Sequence, residues 1–262
     1  MSEEATAVDT EKMSPKEVNP DQIMDFLKSK MGARFKMWLK ICAHCGLCAD
    51  TCHHYLASGK DPKMIPSYKV RFLLEILRKK GKVDRDYLKK VYDTVYYECN
   101  ACRRCTLYCP FGIDIALMIS LLRSLLLSQE MVPEGLAKAV ENYKEFGNQM
   151  AVTKEDWVET LEWCEEETAE ELVGLKIPID KKGAKIMYTV NAREPMFYPQ
   201  DIMEVAKIFH VAGENWTFPS KSGWDATNLA MFCADGKTAR VIVENTFKCA
   251  DELGVQQVAV TE

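Results

Sequence analysis

The sequence predicts a mainly α-helical protein that ends in a partial α/β layer, and three observations carry this expectation. Apolar residues recur at helical spacing in most stretches from residue 21 to about residue 172. Among those helices lie two copies of one tight cysteine spacing. From about Lys181 the pattern changes to short strands alternating with helices, which implies a parallel sheet. The expected organisation is a disordered acidic arm over 1–20 and an amphipathic helix over 21–40. A helical domain with both cysteine runs follows over 41–180, then a partial α/β domain over 181–262.

Taken in order, residues 1–20 are polar and acidic, lack an apolar period and end at Pro20, as a disordered arm does. From Asp21 to Leu39 the residues Ile23, Met24, Leu27, Met31, Phe35 and Trp38 keep helical spacing, while Lys28, Lys30, Arg34, Lys36 and Lys40 form a basic side. Such a helix either packs on its own protein or lies against a membrane subunit or the bilayer surface. Residues 67–80 and 84–97 read as a helical pair broken at Gly81, with Leu73, Ile76 and Leu77 on one face and Leu88, Val91 and Val95 on the next. Residues 114–129 are strongly apolar, yet Asp114 and Arg123 interrupt them and the stretch is too short to span a bilayer. It is expected as a buried helix backing the cysteine loops. Helices follow over 133–146 and 154–172, the latter with Glu155, Asp156, Glu159, Glu162, Glu165, Glu166, Glu167, Glu170 and Glu171 as an acidic face, solvated or open to a basic partner.

Beyond Lys181 the expectation is a strand over 184–190, a helix over 200–212, an extended piece over 215–218, helices over 227–233 and 237–253, and a strand over 256–260. That last strand should be buried, so the expected sheet is completed either by a longer protein or by another chain.

A chain of 262 residues with 47% hydrophobic and 28% charged content is long enough for one large or two ordinary cores. Its formal net charge of −5 argues against nucleic acid as a partner, since phosphate neutralisation needs a dense basic surface. No signal-type opening is present and no apolar stretch reaches the roughly 18 residues of a spanning helix, which places the expected protein in the cytoplasm, soluble or peripheral.

Eight of the eleven cysteines form the two runs: Cys42, Cys45, Cys48 and Cys52, then Cys99, Cys102, Cys105 and Cys109, the last followed by Pro110. Each reads C-x2-C-x2-C-x3-C, the ferredoxin-type run in which three close cysteines wrap one [4Fe-4S] cubane and the fourth reaches the other. Two [4Fe-4S] clusters are therefore expected. Cys42, Cys45 and Cys48 join Cys109 on the first, and Cys99, Cys102 and Cys105 join Cys52 on the second, tying the halves together through metal. A zinc site gathers two C-x2-C pairs on one tetrahedral ion and has no place for a third cysteine at the same spacing. A disulfide framework belongs to short secreted chains. Lys40, His44, Lys60 and Lys63 near the first run and Arg103 and Arg104 near the second either raise the potentials, dock a partner or are ordinary solvated residues. His44, His53 and His54 read as loop residues beside the clusters, not ligands. Cys164, Cys233 and Cys249 read as buried or incidental thiols.

With these features in view, the chain resembles the heterodisulfide reductase family of iron–sulfur proteins, in which a two-cubane module of the HdrC/HdrD type precedes a cysteine-rich CCG domain. The likeness is greatest to the DsrK-type subunits of sulfite-reduction-associated DsrMKJOP complexes. It rests on residues 42–52, Cys99 to Cys105, Cys109-Pro110-Phe111-Gly112, Asn191-Ala192-Arg193-Glu194 and Gly223-Trp224-Asp225-Ala226-Thr227-Asn228, and covers about residues 21–262. The resemblance implies that the α/β segment is CCG-like. It also implies an electron-transfer subunit on the cytoplasmic face of a membrane, in dissimilatory sulfur metabolism. Such a subunit passes electrons from a quinone-linked cytochrome b subunit (DsrM-like) and other subunits to a site reducing a disulfide or trisulfide on a small sulfur carrier, DsrC. A further iron–sulfur cluster is implied in a C-terminal part beyond these residues. The CCG motif that would ligate it is absent here, so no catalytic residue is assigned. The other reading is an iron–sulfur subunit of a flavin dehydrogenase, such as one for succinate or glycerol-3-phosphate. A purely structural use of the clusters is a third. No plant-type [2Fe-2S] run precedes Cys42, as a succinate-type subunit would have it.

Overall fold

The computed structural model describes residues 18–261. The arm expected over 1–20 thus lies mostly outside the described residues. The helices, in order, are α1 Pro20–Lys30, α2 Ala33–Ile41, α3 Leu47–Asp50, α4 His53–Ala57, α5 Pro66–Lys69, α6 Arg71–Arg78, α7 Arg85–Tyr96, α8 Arg104–Leu107, α9 Ile115–Ser128, α10 Glu134–Phe146 and α11 Lys154–Glu171. After them come β1 Ile186–Thr189, α12 Arg193–Phe197, α13 Pro199–Ala212, β2 Trp216–Thr217, α14 Ala230–Cys233, α15 Gly236–Leu253 and β3 Gln257–Val260. The protein is mainly α with one small parallel sheet, and no described helix is long and apolar enough to cross a membrane.

Two compact units divide the chain. One holds the residues up to Glu134 with Phe232–Ala234; the other holds Gly135–Met231 with Asp235–Glu262. In the first unit, α9 is the central post. Leu122, Leu125 and Leu126 are completely buried among Ile23 of α1, Leu73 and Ile76 of α6, and Leu88, Val91 and Val95 of α7. Burying side chains of this size is worth about 1.5–3 kcal/mol each, which explains why an apolar helix of this length packs instead of standing free. Asp114 caps α9, its carboxylate accepting the Leu117 N–H at 3.0 Å. Asp84 caps α7 in the same way, accepting the Tyr87 N–H at 2.8 Å. Between α6 and α7 the chain turns at Gly81, whose φ of +76° and position against the Pro20 carbonyl leave no room for a Cβ.

The single helix expected over 21–39 is two, α1 and α2, parted at Met31 and Gly32. Apolar spacing continues across the break, so periodicity alone gave no sign of it. Ile23, Leu27, Met31 and Trp38 are buried in the unit's own core, which takes the apolar face away from a bilayer.

In the second unit, β1 lies between β2 and β3, all parallel in the order β2-β1-β3. Met187, Tyr188, Thr189 and Val190 bury the middle strand. β3 was expected to be buried; it is instead a half-exposed edge strand, paired only with β1 among the described residues. A stacked aromatic core fills one side: Trp157 lies parallel to Trp224 at 4.4 Å, with Phe218 edge-on at 5.5 Å, and its indole N–H donates to the Pro219 carbonyl at 2.9 Å. Trp157, Leu161 and Cys164 of α11 join this core, so residues 135–180 fold with the sheet, whereas the sequence pattern groups them with the helical domain. The acidic face of α11 is not wholly solvated either. Glu165 accepts Lys176 Nζ at 2.6 Å and the Ile177 N–H at 2.7 Å, and Glu171 accepts Lys207 Nζ at 2.6 Å. The helix expected over 227–233 is confined to α14, because Asp225 holds the preceding loop. Its buried carboxylate accepts the N–H groups of Gln149, Ala192 and Thr227 at 2.9, 3.3 and 3.0 Å.

Candidate functional site

Both cysteine runs are loops between helices, so the direction of each thiol is set by the backbone that carries it. Around Cys45, the middle cysteine of its tight trio, His44 and Gly46 take left-handed φ of 53° and 85°; around Cys102, Ala101 and Arg103 take 56° and 64°. The two runs thus repeat one backbone pattern, left-handed on either side of a middle cysteine that is not. Such alternation aims successive N–H groups into one concavity, the nest that suits anionic groups including iron–sulfur sites. Holding His44, Ala101 and Arg103 there costs about 1–2 kcal/mol each. Strain of this kind persists where the surroundings fix it and is concentrated at functional sites. Gly46 and Arg103 also start the short helices α3 and α8, which carry Cys48 and Cys105 and pack against each other.

Two cavities open beside these helices. The first, of about 310 Å³, is lined by Cys42, Cys45, Cys48 and Cys109. The second, of about 30 Å³, is lined by Cys52, Cys99, Cys102 and Cys105. Each therefore collects three thiols from one run and the last thiol of the other. The crossing is made by Cys52 at the start of α4 and by Cys109 just after α8. The N-terminal turns of α9 form a shared floor, with Ile115 lining both cavities, Met118 the first, and Ala116 and Ile119 the second. Among the described residues no three His, Cys, Asp or Glu side chains close on a point where one metal ion would sit. A tetrahedral ion needs that closeness, whereas a cubane holds its thiolates apart at its corners. The donor set, its all-sulfur chemistry and the nest-like loops fit [4Fe-4S] ligation.

The electrostatics of the sites follow from burial. Desolvation pushes the Cys105 thiol up to about 12, and the neighbouring thiols of Cys99, Cys48, Cys102 and Cys52 add to it. Cys48 belongs to the other site, so the two sites abut. Desolvation also raises Cys48; hydrogen bonds from the Ser67 backbone and hydroxyl oppose it, and Cys42 and Cys45 reinforce it. Thiols raised in this way ligate only when a metal displaces their protons, so loading of either site releases protons. Cys45 and Cys102 stand exposed at the loop tips, while Cys48 is buried and the other five are half-buried.

Of the neighbours expected from sequence, His44 lines the first cavity, with Nδ1 3.8 Å from Cys42 Sγ, and Arg103, Arg104, His53 and His54 line the second. Lys40, Lys60 and Lys63 are not among the lining residues of either. Packing supplies others that the pattern did not single out: Ser67, Arg71 and Arg78 at the first cavity and Lys69 at the second. Arg123 lies behind the second site, its Nη2 donating to the Cys99 carbonyl at 2.5 Å. A charged residue inside an apolar helix was the signal for Arg123; nothing in sequence marked Lys69. Cys164, Cys233 and Cys249 are buried away from both cavities.

Residues 38–113, which hold both runs, match the family model of the 4Fe-4S dicluster domain. Over 92% of its length the chain is 30% identical to the Hdr-like menaquinol oxidoreductase iron-sulfur subunit 2 of Archaeoglobus fulgidus. It is 25% identical, again over 92%, to the Hdr-like menaquinol oxidoreductase iron-sulfur subunit of Archaeoglobus profundus. The aligned region is 46% of either relative, so the chain spans about half the length of the curated relatives it matches. Across nearly all its residues, the chain is similar to the iron–sulfur subunits of Hdr-like oxidoreductases, and the similarity takes in the segment that carries both cysteine runs.

Proposed function

We propose that this chain holds two [4Fe-4S] clusters, one on Cys42, Cys45, Cys48 and Cys109 and one on Cys99, Cys102, Cys105 and Cys52, and relays electrons within a membrane-associated complex. The observation that carries this reading is the sorting of eight thiols into two adjoining cavities, three from one run and one from the other in each. Clusters held there supply one-electron chemistry. The chain's own residues fix the spacing of the sites through α3 and α8, screen them with the apolar turns of α9, and set their charge through Lys69, Arg71, Arg78 and Arg123.

The electron donor is a quinone-linked cytochrome b subunit of the DsrM kind, a reading supported by similarity to menaquinol oxidoreductase iron–sulfur subunits. The acceptor is a disulfide- or trisulfide-reducing site serving a DsrC-like carrier, as in DsrK-type subunits, with the sheet of the second unit as the start of a CCG-like domain. A further cluster belongs to the part of such subunits that follows it. The names of the relatives favour this donor over a flavin dehydrogenase. The test is anaerobic purification with its membrane partner, followed by addition of a reduced menaquinone analogue. Bleaching of the iron–sulfur absorbance that depends on the partner is expected. Reduction by a flavoprotein dehydrogenase but not by quinol would overturn the donor assignment.

A further inference from the structure

The two sites share a ligand pattern but not an environment. The cations at the first cavity, Arg71 and Arg78, are exposed, so water and salt screen them. At the second, Arg103 and Arg104 are likewise exposed, but two further cations, one in its wall and one behind it, are buried. Lys69 is only 2% exposed, lines the cavity and donates through Nζ to the Glu98 carbonyl. Arg123 is 3% exposed. Its Nε and Nη2 donate to the Val95 carbonyl at 3.0 and 2.7 Å, Nη2 also to the Cys99 carbonyl, and Nη1 to the Phe232 carbonyl at 3.2 Å, over the ring of Tyr96.

Neither cation has a carboxylate partner among the described residues, and the Glu98 side chain makes no ion pair with Lys69 although it belongs to the same wall. A buried charge without a counter-ion carries a heavy desolvation penalty unless an anion is supplied. The thiols of Cys52, Cys99, Cys102 and Cys105 share that wall with Lys69. A third group points the same way: His54 lines that cavity, lies tilted against His53 with ring centroids 4.4 Å apart, and keeps a buried Nε2 with no hydrogen-bond partner. In the tautomer protonated at Nε2, it is a buried donor without an acceptor among the described protein atoms.

We infer that the two sites are electrostatically unequal, with Lys69, Arg123 and His54 making the Cys52, Cys99, Cys102 and Cys105 site the stronger electron acceptor. This rests on the two-cluster reading above. Reduction adds one electron and one negative charge to a site that is already anionic. A buried cation favours that added charge more than an exposed one, because the effective dielectric constant around it is lower. Electrons entering the chain therefore settle beside α8 and the N-terminal turns of α9, and this site is the terminus of the relay within these residues. Lys69, Arg123 and His54 are positioning residues; none is a ligand.

The experiment is an EPR-monitored redox titration of the anaerobically purified, iron-loaded chain, with dithionite as the electron source through mediators. Two midpoints are expected. Lys69→Met should lower the higher one by about tenfold in the reduction equilibrium, or about 59 mV for one electron, and leave the other in place. Lys69→Arg should restore it. Raising ionic strength should move the lower midpoint more than the higher. If Lys69→Met does not load iron, His54→Leu carries the same expectation in smaller measure. Two coincident midpoints, or a Lys69→Met shift confined to the lower one, would overturn the inference. Iron content separates the two failures: well under about eight irons per chain in the wild type defeats the two-cluster reading itself.

Discussion

Asp114 joins the scaffold to the second cysteine run, and replacing it with alanine has a cost that can be worked from three contacts. Its carboxylate caps α9 through the Leu117 N–H at 3.0 Å, accepts the Thr106 hydroxyl at 3.0 Å, and pairs with Arg103 Nη2 at 2.8 Å. Loss of the cap costs about 1 kcal/mol. Loss of the hydrogen bond to half-buried Thr106 costs about 1 kcal/mol more. The ion pair adds about 0.5 kcal/mol, discounted because Arg103 is 60% exposed. Asp114→Ala should thus destabilise the first unit by about 2.5 kcal/mol. Asp114→Asn keeps a capping oxygen and should cost about 0.5–1 kcal/mol. Because cluster loss makes unfolding irreversible, the appropriate readout is the rate at which iron–sulfur absorbance decays in a fixed urea concentration. Expressed half or wholly in the unfolding rate, 2.5 kcal/mol is an acceleration of about 8- to 70-fold. An Asp114→Ala decay within twofold of wild type would refute the reasoning, as would an Asp114→Asn decay equally fast.

Two further outcomes follow from local geometry. A Cβ at Gly46 would meet nothing within 4 Å, so Gly46→Ala carries only the left-handed penalty of about 1–2 kcal/mol. At Gly81 the Cβ would lie 2.5 Å from the Pro20 carbonyl oxygen, and Gly81→Ala should cost about 3 kcal/mol or more; thermal unfolding of the pair compares them, and equal losses would contradict the close approach. Burial pushes the thiols of Cys164 and Cys249 up to about 11, so their thiolate fraction is about a thousandth at pH 8 and rises only as pH climbs toward that value. Iodoacetamide mass mapping of the native protein at pH 8 should leave both unmodified, and early labelling of either would show that the cores around them open.

What the sequence made legible was whatever is written locally. The extents of α7, α9, α13 and α15 and the place of β1 follow from apolar period and caps, and structure and expectation agree there to within a few residues. The expected crossing of Cys52 and Cys109 rests on the ferredoxin-type run, whose fourth cysteine reaches the other cubane, and each of the two lines the cavity of the other run's trio. Choices made by packing were not legible. Met31 and Gly32 break a helix whose apolar spacing runs on unbroken, and Trp157 directs α11 to the aromatic core of the sheet although its pattern resembles that of the helices before it. Lys69, Arg71 and Arg78 sit on helices whose apolar residues announce a core, but which polar side chains then face a cavity depends on how α5 and α6 lie against α9. Arg123 is the intermediate case, visible as an interruption and intelligible only once its carbonyl partners are seen.

The sharing of ligands between the two runs is tested most directly by the iron content of two double variants purified anaerobically. Cys42 and Cys109 line one cavity, so Cys42→Ala with Cys109→Ala should remove one cluster and leave about four irons of about eight. Cys42 and Cys52 belong to one run but different cavities, so Cys42→Ala with Cys52→Ala should strip both clusters. If the second pair retains a full cluster while the first loses both, each run holds its own cluster and the crossed arrangement is wrong.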